Sequence, residues 1–492
     1  MVFCQKYGII LQVGGCIMRK TKIVCTIGPA SDNYETLKEM MKAGMNVARL
    51  NFSHGTYEEQ KRKADLIKEL REELNLPVAL LLDTKGPEIR TGTFNEKVIL
   101  NDNDTFTLCN EDIIGDNTRV SVSYKELYND VKIKDTILID DGLINLEVTN
   151  IDNKDIICKV INGGELSNNK SINVPNLKLN LPSLTEKDIA DINFAIENGF
   201  DYIAASFVRK VDDVLAIRNI LKEKNNTHIK IISKIENREG IDNFDAILKA
   251  SDGIMVARGD LGVEIPMEEV PVVQKIMIKK TYSQGKVVIT ATQMLDSMIN
   301  SPSPTRAEVS DVANAIFDGT SAIMLSGETA NGKHPVKCIE VMNKIALSTE
   351  NSIDYWKRYK VRDFSSNNFE FIINHSLCLS AMNMNAKAIF CYTKTTDTPR
   401  ILSSFTPKCP IYALTSNKDV FNQLSLVWNI KPMLLDTEYE PKKMIFDGIL
   451  KTKENKELNI GDIVMIAGGK YFYEEPEEEI NKAIGGIYKI TK

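Results

Sequence analysis

The chain has 492 residues, 43% hydrophobic and 26% charged, with a net charge of −6. That is apolar material for roughly two to four domains, and the negative balance argues against nucleic acid or an acidic membrane as the main partner. Nine scattered cysteines with no C-x-x-C pair suit a reducing, cytoplasmic setting and speak against disulfides or a zinc site. With only four histidines, chemistry must rest on Lys, Arg, Asp, Glu, Thr and backbone groups.

Residues 1–17 read as a disordered extension or as a stretch ahead of a true start at Met18. The apolar run from Ile9 to Val13 is too short for a membrane span or a normal signal segment. From Met18 onward, apolar runs rich in β-branched residues fall at 22–27, 46–50, 78–83, 201–206, 229–234, 253–257, 286–291 and 321–325. Helical segments lie between most of them, opened by Ser31 or Asp32, by Thr185 in a capping box with Asp188, and by Asp212, Asp242 and Ser303. The strand spacing of about 24 to 35 residues is one βα unit, and eight units make a (β/α)₈ barrel.

One interval is too long. Residues 88–184 interrupt the rhythm with alternating apolar and polar runs such as VILNDNDTFTLC and DTILIDDGLINLEV. They predict an inserted all-β domain after strand three, dividing the barrel into 18–87 and 185–352. The catalytic face of a barrel carries the loops after its strands, so an insertion there is placed to act as a lid. Residues 353–492 return to alternating strands (387–392, 410–415, 432–435, 462–467) and helices (372–384, 418–428), which predicts a separate open, doubly wound α/β domain.

The strand ends carry the chemistry. Strand five ends in Lys234 and Glu236, strand six in Arg258 and Asp260. Two carboxylates offer hard oxygen ligands for a divalent cation, and a lysine beside them offers a point charge for a phosphate. The other strand ends add Thr26 to Pro29, Arg49 to Gly55, Asp83 to Arg90, Thr292 to Met294 and Ser326 to Thr329. Barrel stability needs no such rim of polar groups.

The segments RLNFSHG, LLDTKGPEIRTG, KIEN, MVARGDLGVEIP, ATQMLDSM and IMLSGETA together resemble the pyruvate kinase family, in order and over Met18 to about Thr415. The resemblance implies transfer of a phosphoryl group from phosphoenolpyruvate to ADP, with Mg²⁺ (or Mn²⁺) and K⁺, in a homotetramer. By that resemblance Glu236 and Asp260 hold the divalent ion, and Lys234 and Arg49 contact the transferring phosphoryl group. The Gly259–Asp260 amides hold the substrate carboxylate, and Thr292 with Ser326 serves protonation of the enolate. Asn51, Ser53, Asp83 and the Thr84 carbonyl correspond to the K⁺ ligands; Arg90, Lys170, Pro29 and His54 lie where the family binds the nucleotide. Arg258 is read as a supporting charge.

The resemblance also ties Glu88 to K⁺ dependence, because a lysine there would replace the monovalent charge. A rival reading, an aldolase relative using enolate chemistry, has no nucleotide for Lys170, Arg90 and a lid to cover. A non-catalytic paralogue would be expected to lose Lys234, Glu236, Asp260 or Thr292 first. The chain departs from the family at Ser171 and in the sugar-phosphate loop, which reads Thr393-Lys394-Thr395-Thr396-Asp397-Thr398. Thr396 replaces the usual glycine and Asp397 the usual basic residue, and residues 473–479 are acidic. Weak or absent activation by fructose 1,6-bisphosphate is the expectation.

Overall fold

The computed structural model describes residues 19–361, 369–435, 441–468 and 484–490. Eight parallel strands close into a barrel: Lys22–Thr26, Val47–Asn51, Ala79–Asp83, Tyr202–Ala205, Lys230–Ile235, Gly253–Ala257, Val287–Ala291 and Ala322–Leu325. Each lies beside its sequence neighbour, and strand eight pairs with strand one through Lys22↔Ala322 to Cys25↔Leu325. Side chains alternate along every strand. Ile23 and Cys25 face the outer helices, whereas Val24 lies in the cluster that fills the barrel interior with Leu81, Ile232 and Met255. That interior cluster continues without a break into Phe405, Leu424 and Trp428, so the C-terminal domain closes the N-terminal mouth of the barrel.

Several helix starts differ from expectation. The first helix, Tyr34–Ala43, is capped by Asn33, whose side chain accepts from the Thr36 amide, rather than by Ser31 or Asp32. Asp212 lies inside Val211–Glu223. Asp242 ends the helix Arg238–Asp242, and Thr305 rather than Ser303 caps Arg306–Asp318, in a box with Glu308. Runs of Ser, Thr, Asn and Asp hold several residues able to cap, and the backbone angle at each position selects among them. The box formed by Thr185 and Asp188 is present as read.

Between strands three and four, a seven-stranded sheet runs from Ile89–Arg90 to Arg119–Ser121, with a two-stranded sheet beside it and one helical turn, Leu127–Asp130. Its first strand leaves the barrel through Gly86, at φ +74°, where an added Cβ would lie 2.9 Å from Ser206. The Gly86 amide donates to Asp188 Oδ1 (2.9 Å), so the helix-capping carboxylate also pins the exit to the lid.

The C-terminal sheet has the order Ile430–Leu434, Ile411–Thr415, Ala388–Tyr392, Ile463–Gly468, Ile484–Lys489. Four strands are parallel, and the last is an antiparallel edge that the sequence pattern did not reveal. Ile389 and Cys391 face one apolar layer, Phe390 and Tyr392 the other, as a doubly wound sheet requires. The expected helix over 418–428 is an α-helix only for Lys418–Gln423, followed by a 3₁₀ turn. The extension at 1–17 and the acidic stretch at 473–479 lie outside the described residues.

Candidate active site at the C-terminal rim of the barrel

Lys234 is the centre of the rim. Its Nζ donates to Ser206 Oγ (2.7 Å) and to Asp83 Oδ1 (3.2 Å), and it lies 2.9 Å from Glu236 Oε1. Burial disfavours the ammonium, but Asp83 and then Glu236 outweigh it and hold Lys234 above the ordinary lysine range. Asp83 is buried too, which by itself would raise its carboxyl; Arg49 and Lys234 more than offset this and keep it ionised. Arg49 Nε donates to Asp83 Oδ2 (2.5 Å) and Nη1 to Thr26 Oγ1 (2.8 Å), fixing the guanidinium on the same rim.

Glu236 is 1% exposed. One oxygen, Oε2, accepts from the Phe207 amide (2.6 Å), while Oε1 has the Lys234 contact but no aligned hydrogen bond. Burial pushes its carboxyl upward, Lys234 opposes this, and the like charge of Asp260 adds to it. The pair is thus unequal: Lys234 faces two carboxylates and stays charged, whereas Glu236 needs more positive charge than one ammonium shared with Asp83 supplies. A divalent cation fits that need. No group of three or more His, Cys, Asp or Glu is placed to hold a metal ion among the described residues. Two carboxylates suffice for Mg²⁺, which keeps waters and substrate oxygens in its shell.

The four residues read as the K⁺ site meet at the ends of strands two and three. Asn51 pairs in register with Asp83, and Thr84 follows directly. Asn51 Oδ1 accepts from the Ser53 amide (3.0 Å), and the Thr84 carbonyl accepts from Ser206 Oγ (2.7 Å). The donors are all oxygen, which suits an alkali ion.

Strands six to eight supply the rest. The Gly259 amide donates to Thr292 Oγ1 (2.8 Å), and Thr292 Oγ1 also lies 2.6 Å from the Ala291 carbonyl. Ser326 Oγ is buried without a partner. Arg258 turns away from this centre: it binds Asp311 through both carboxylate oxygens (2.8 and 2.7 Å) and donates to the Thr292 carbonyl (2.6 Å). It is a brace for the Thr292 turn, where Thr292 and Gln293 both adopt positive φ (71° and 53°).

The residues read as nucleotide contacts form two groups. At the base of the lid Arg90 pairs in register with Ser171, and Lys170 directly precedes that strand; Arg90 donates to Glu88 (2.8 Å) and to the Asn169 carbonyl, and Lys170 to Asp140 (2.9 Å). Pro29 and His54 are exposed on the barrel rim after strands one and two. Glu88 is therefore neutralised by Arg90. In the loop 393–398, Thr396 adopts φ −81°, a conformation open to any residue, and Asp397 accepts from Arg400 (2.8 Å).

Ser206 and Glu328 were not singled out in the sequence. Ser206 links Lys234, Asp83 and Thr84; Glu328, 1% exposed, accepts from the amides of Leu295 (3.0 Å) and Ser326 (2.7 Å), tying strands seven and eight together. Ser206 had a legible signal, as the polar residue closing an apolar strand at this rim.

The profile described as "Pyruvate kinase, barrel domain" matches residues 18–339, and "Pyruvate kinase, alpha/beta domain" matches 372–478. The chain belongs to the pyruvate kinase family. It is 49% identical to the pyruvate kinase of Clostridium acetobutylicum over 92% of this chain and 96% of that protein. It is 50% identical to that of Bacillus licheniformis over 92% of this chain and 78% of that one. A solved pyruvate kinase from Cryptosporidium parvum superposes with a TM-score of 0.90 at 39% identity, covering 96% of both chains. Membership makes this protein a phosphotransferase. It also agrees with the barrel and α/β sheet described above.

Proposed function

We propose that this pyruvate kinase relative transfers the phosphoryl group of phosphoenolpyruvate to ADP, giving pyruvate and ATP, with Mg²⁺ and K⁺ as its ions. The arrangement of Lys234 among Asp83, Glu236 and Ser206, beside Arg49, carries this reading. Glu236 and Asp260 would hold the divalent ion, and Asn51, Ser53, Asp83 and Thr84 the monovalent one. Bound there, the metal supplies neutralisation of charge on the phosphoryl oxygens.

The chain's own groups account for the remaining demands. Lys234 and Arg49 bring positive charge to the transferring phosphoryl group and, after its departure, to the enolate oxygen. The Gly259 and Asp260 amides receive the substrate carboxylate. Since the Gly259 amide otherwise holds Thr292 Oγ1, the arriving carboxylate releases that hydroxyl for proton delivery, through water, towards C3 of the enolate. Ser326 Oγ, buried and unpartnered, extends the same polar path. Arg90 and Lys170 on the lid base contact the nucleotide phosphates, with Pro29 and His54 towards the base.

We further read the protein as a cytoplasmic homotetramer. Exposed Val272, Ile276, Val309 and Phe317, on two adjoining helices, support a covered face on the barrel. The Asp397–Arg400 pair in the loop after strand Ala388–Tyr392 supports weak or absent response to fructose 1,6-bisphosphate.

The deciding experiment is a coupled assay of ADP-dependent pyruvate formation with the wild type and Lys234→Met. Wild-type turnover and a loss of at least ~10²-fold in the variant are expected. Variant rates within a few-fold of wild type would remove Lys234 from the chemistry, and no ADP-dependent pyruvate from the wild type would remove the reaction.

A further inference from the structure

At the opposite end of the barrel, a second cationic site lies in the seam with the C-terminal domain. A cleft there is walled by Lys286 ahead of strand seven, Arg358 on the helix Tyr355–Val361, and Arg400, Ser403 and Thr406 in and after the helix Asp397–Ser404. Among the described residues no Asp or Glu lines it. The neighbouring carboxylates are committed: Asp252 to Arg218 (2.9 Å), Asp318 to Lys275 and Asp397 to Arg400 (2.8 Å).

The three cations are held in place mainly by backbone carbonyls. Lys286 Nζ donates to the carbonyls of Leu248 (2.6 Å), Lys249 (3.0 Å) and Ser251 (2.7 Å). Arg358 Nη2 donates to the carbonyls of Ile316 (3.1 Å) and Phe317 (2.7 Å), and Arg400 Nη2 to Asp397. A guanidinium has five N–H donors, so both arginines keep donors in reserve.

Two buried polar atoms of the wall have no partner among the described residues, Arg400 Nε and Thr406 Oγ1. Thr406 is 5% exposed and sits at φ +48°, a strained conformation for a β-branched residue. Burial brings the Lys286 ammonium down to about 8; Asp252 resists this, and Arg400 and Arg218 reinforce it. Concentrated positive charge, orphaned donors and a strained threonine together describe a site built for something negative. The free space, about 20 Å³, suits one compact group and not a nucleotide.

We propose that this seam is a binding site for a compact oxyanion, a phosphate group hydrogen-bonded by Arg400, Arg358 and the Thr406 hydroxyl, with the Lys286 ammonium, its three donors already used, contributing charge alone. Its occupant bridges barrel and C-terminal domain, since Lys286 comes from the barrel, Arg358 from the helix that follows it, and Arg400 and Thr406 from the C-terminal sheet domain. The site is independent of the reaction proposed above.

The test is calorimetric titration of the full chain with inorganic phosphate at fixed ionic strength. It is run in Lys234→Met to weaken phosphate binding at the catalytic rim, and the cleft variants separate the seam from whatever Arg49, Arg90 and Lys170 still hold. Saturable binding is expected there, weakened at least ~10-fold by Arg400→Gln and several-fold by Thr406→Val. The near-isosteric Thr406→Val guards against a folding failure of the arginine variant. Glycerol 3-phosphate forms a second arm: tighter binding than inorganic phosphate assigns the site to a phosphomonoester whose remainder leaves the cleft, and equal or weaker binding assigns it to the free ion. No saturable binding in the Lys234→Met parent, or equal binding in both cleft variants, overturns the proposal.

Discussion

Lys22 and Lys234 are both lysines in the wall of the same barrel, at opposite ends of it, the first buried and the second part-buried. Lys234, at the C-terminal rim, faces Asp83 and Glu236 and is held charged. Lys22, at the N-terminal mouth, donates to the Ile430 carbonyl (2.7 Å), and burial brings it down to about 7; Arg19 and Lys431 add to this while Glu350 resists. The surroundings differ in the same sense. Around Lys22, neighbouring polar groups are paired: Glu350 accepts from the Lys20 and Thr21 amides, and Tyr202 donates across the seam to the Gln423 carbonyl. At the rim, Phe207, Thr292 and Gln293 hold positive φ, and Glu236 Oε1 and Ser326 Oγ lack hydrogen-bond partners. A patch that only has to be stable, such as the surroundings of Lys22, pairs its polar groups internally, whereas the cleft at Arg400 and Thr406, at the same end, does not. A patch that has to bind charge keeps strain and unmet hydrogen bonds, which a ligand relieves.

This contrast can be broken from the rim first. Glu236→Gln should cut turnover by on the order of 10²-fold and raise the divalent-ion concentration needed for half-maximal rate, with little change in thermal stability. A metal titration superimposable on wild type would take Glu236 out of the ion's shell. Replacing K⁺ with tetramethylammonium should cost roughly tenfold or more in rate, because the Glu88 carboxylate cannot stand in for a monovalent cation; equal rates in the two salts would contradict this. Arg258→Lys should lower turnover by only about tenfold and leave the Michaelis constant for phosphoenolpyruvate near wild type. It keeps at most the single-nitrogen contact to Asp311 and loses the simultaneous hold on the Thr292 carbonyl, but no substrate contact. A loss as large as that of Lys234→Met would make it a substrate ligand.

The smallest effect tests the other end. Lys22 has a folded pKa below its unfolded value, so the unfolded chain binds more protons between about 7 and the ordinary lysine range. The destabilisation is full below pH 7 and lifts as pH rises through it. Lys22→Met should therefore remove on the order of 2 kcal/mol of the rise in unfolding free energy between pH 7 and pH 9. Denaturant titrations of wild type and variant that stay parallel across that range would show that Lys22 does not titrate there.

Much of the fold is legible in the sequence because a barrel repeats one local unit. Apolar runs ending in polar residues, spaced by helices with caps, placed all eight strands, and the alternating texture of 88–184 marked the insertion. Helix starts were less legible, since Asn33 and Thr305 compete with neighbouring residues of equal capping ability and only backbone geometry separates them. The edge strand Ile484–Lys489 gave little local signal, and its place depends on Ile463–Gly468 being beside it.

The candidate site divides in the same way. Which charges reach the rim follows from sequence, because the end of each strand of a closed barrel faces the same side. That accounts for Lys234, Glu236, Asp260, Arg49 and Thr292. How those charges share partners follows from tertiary structure alone. Arg258 reads as a supporting charge, but what it supports is visible only once Asp311, 53 residues away, and the Thr292 carbonyl are found to hold it. Ser206 reads as the end of a strand until it is found between Lys234, Asp83 and Thr84. Local pattern can assign a residue to a face of the barrel. Burial and distance, which depend on strands remote in sequence, decide whether the residue there is braced, paired or left open for a ligand.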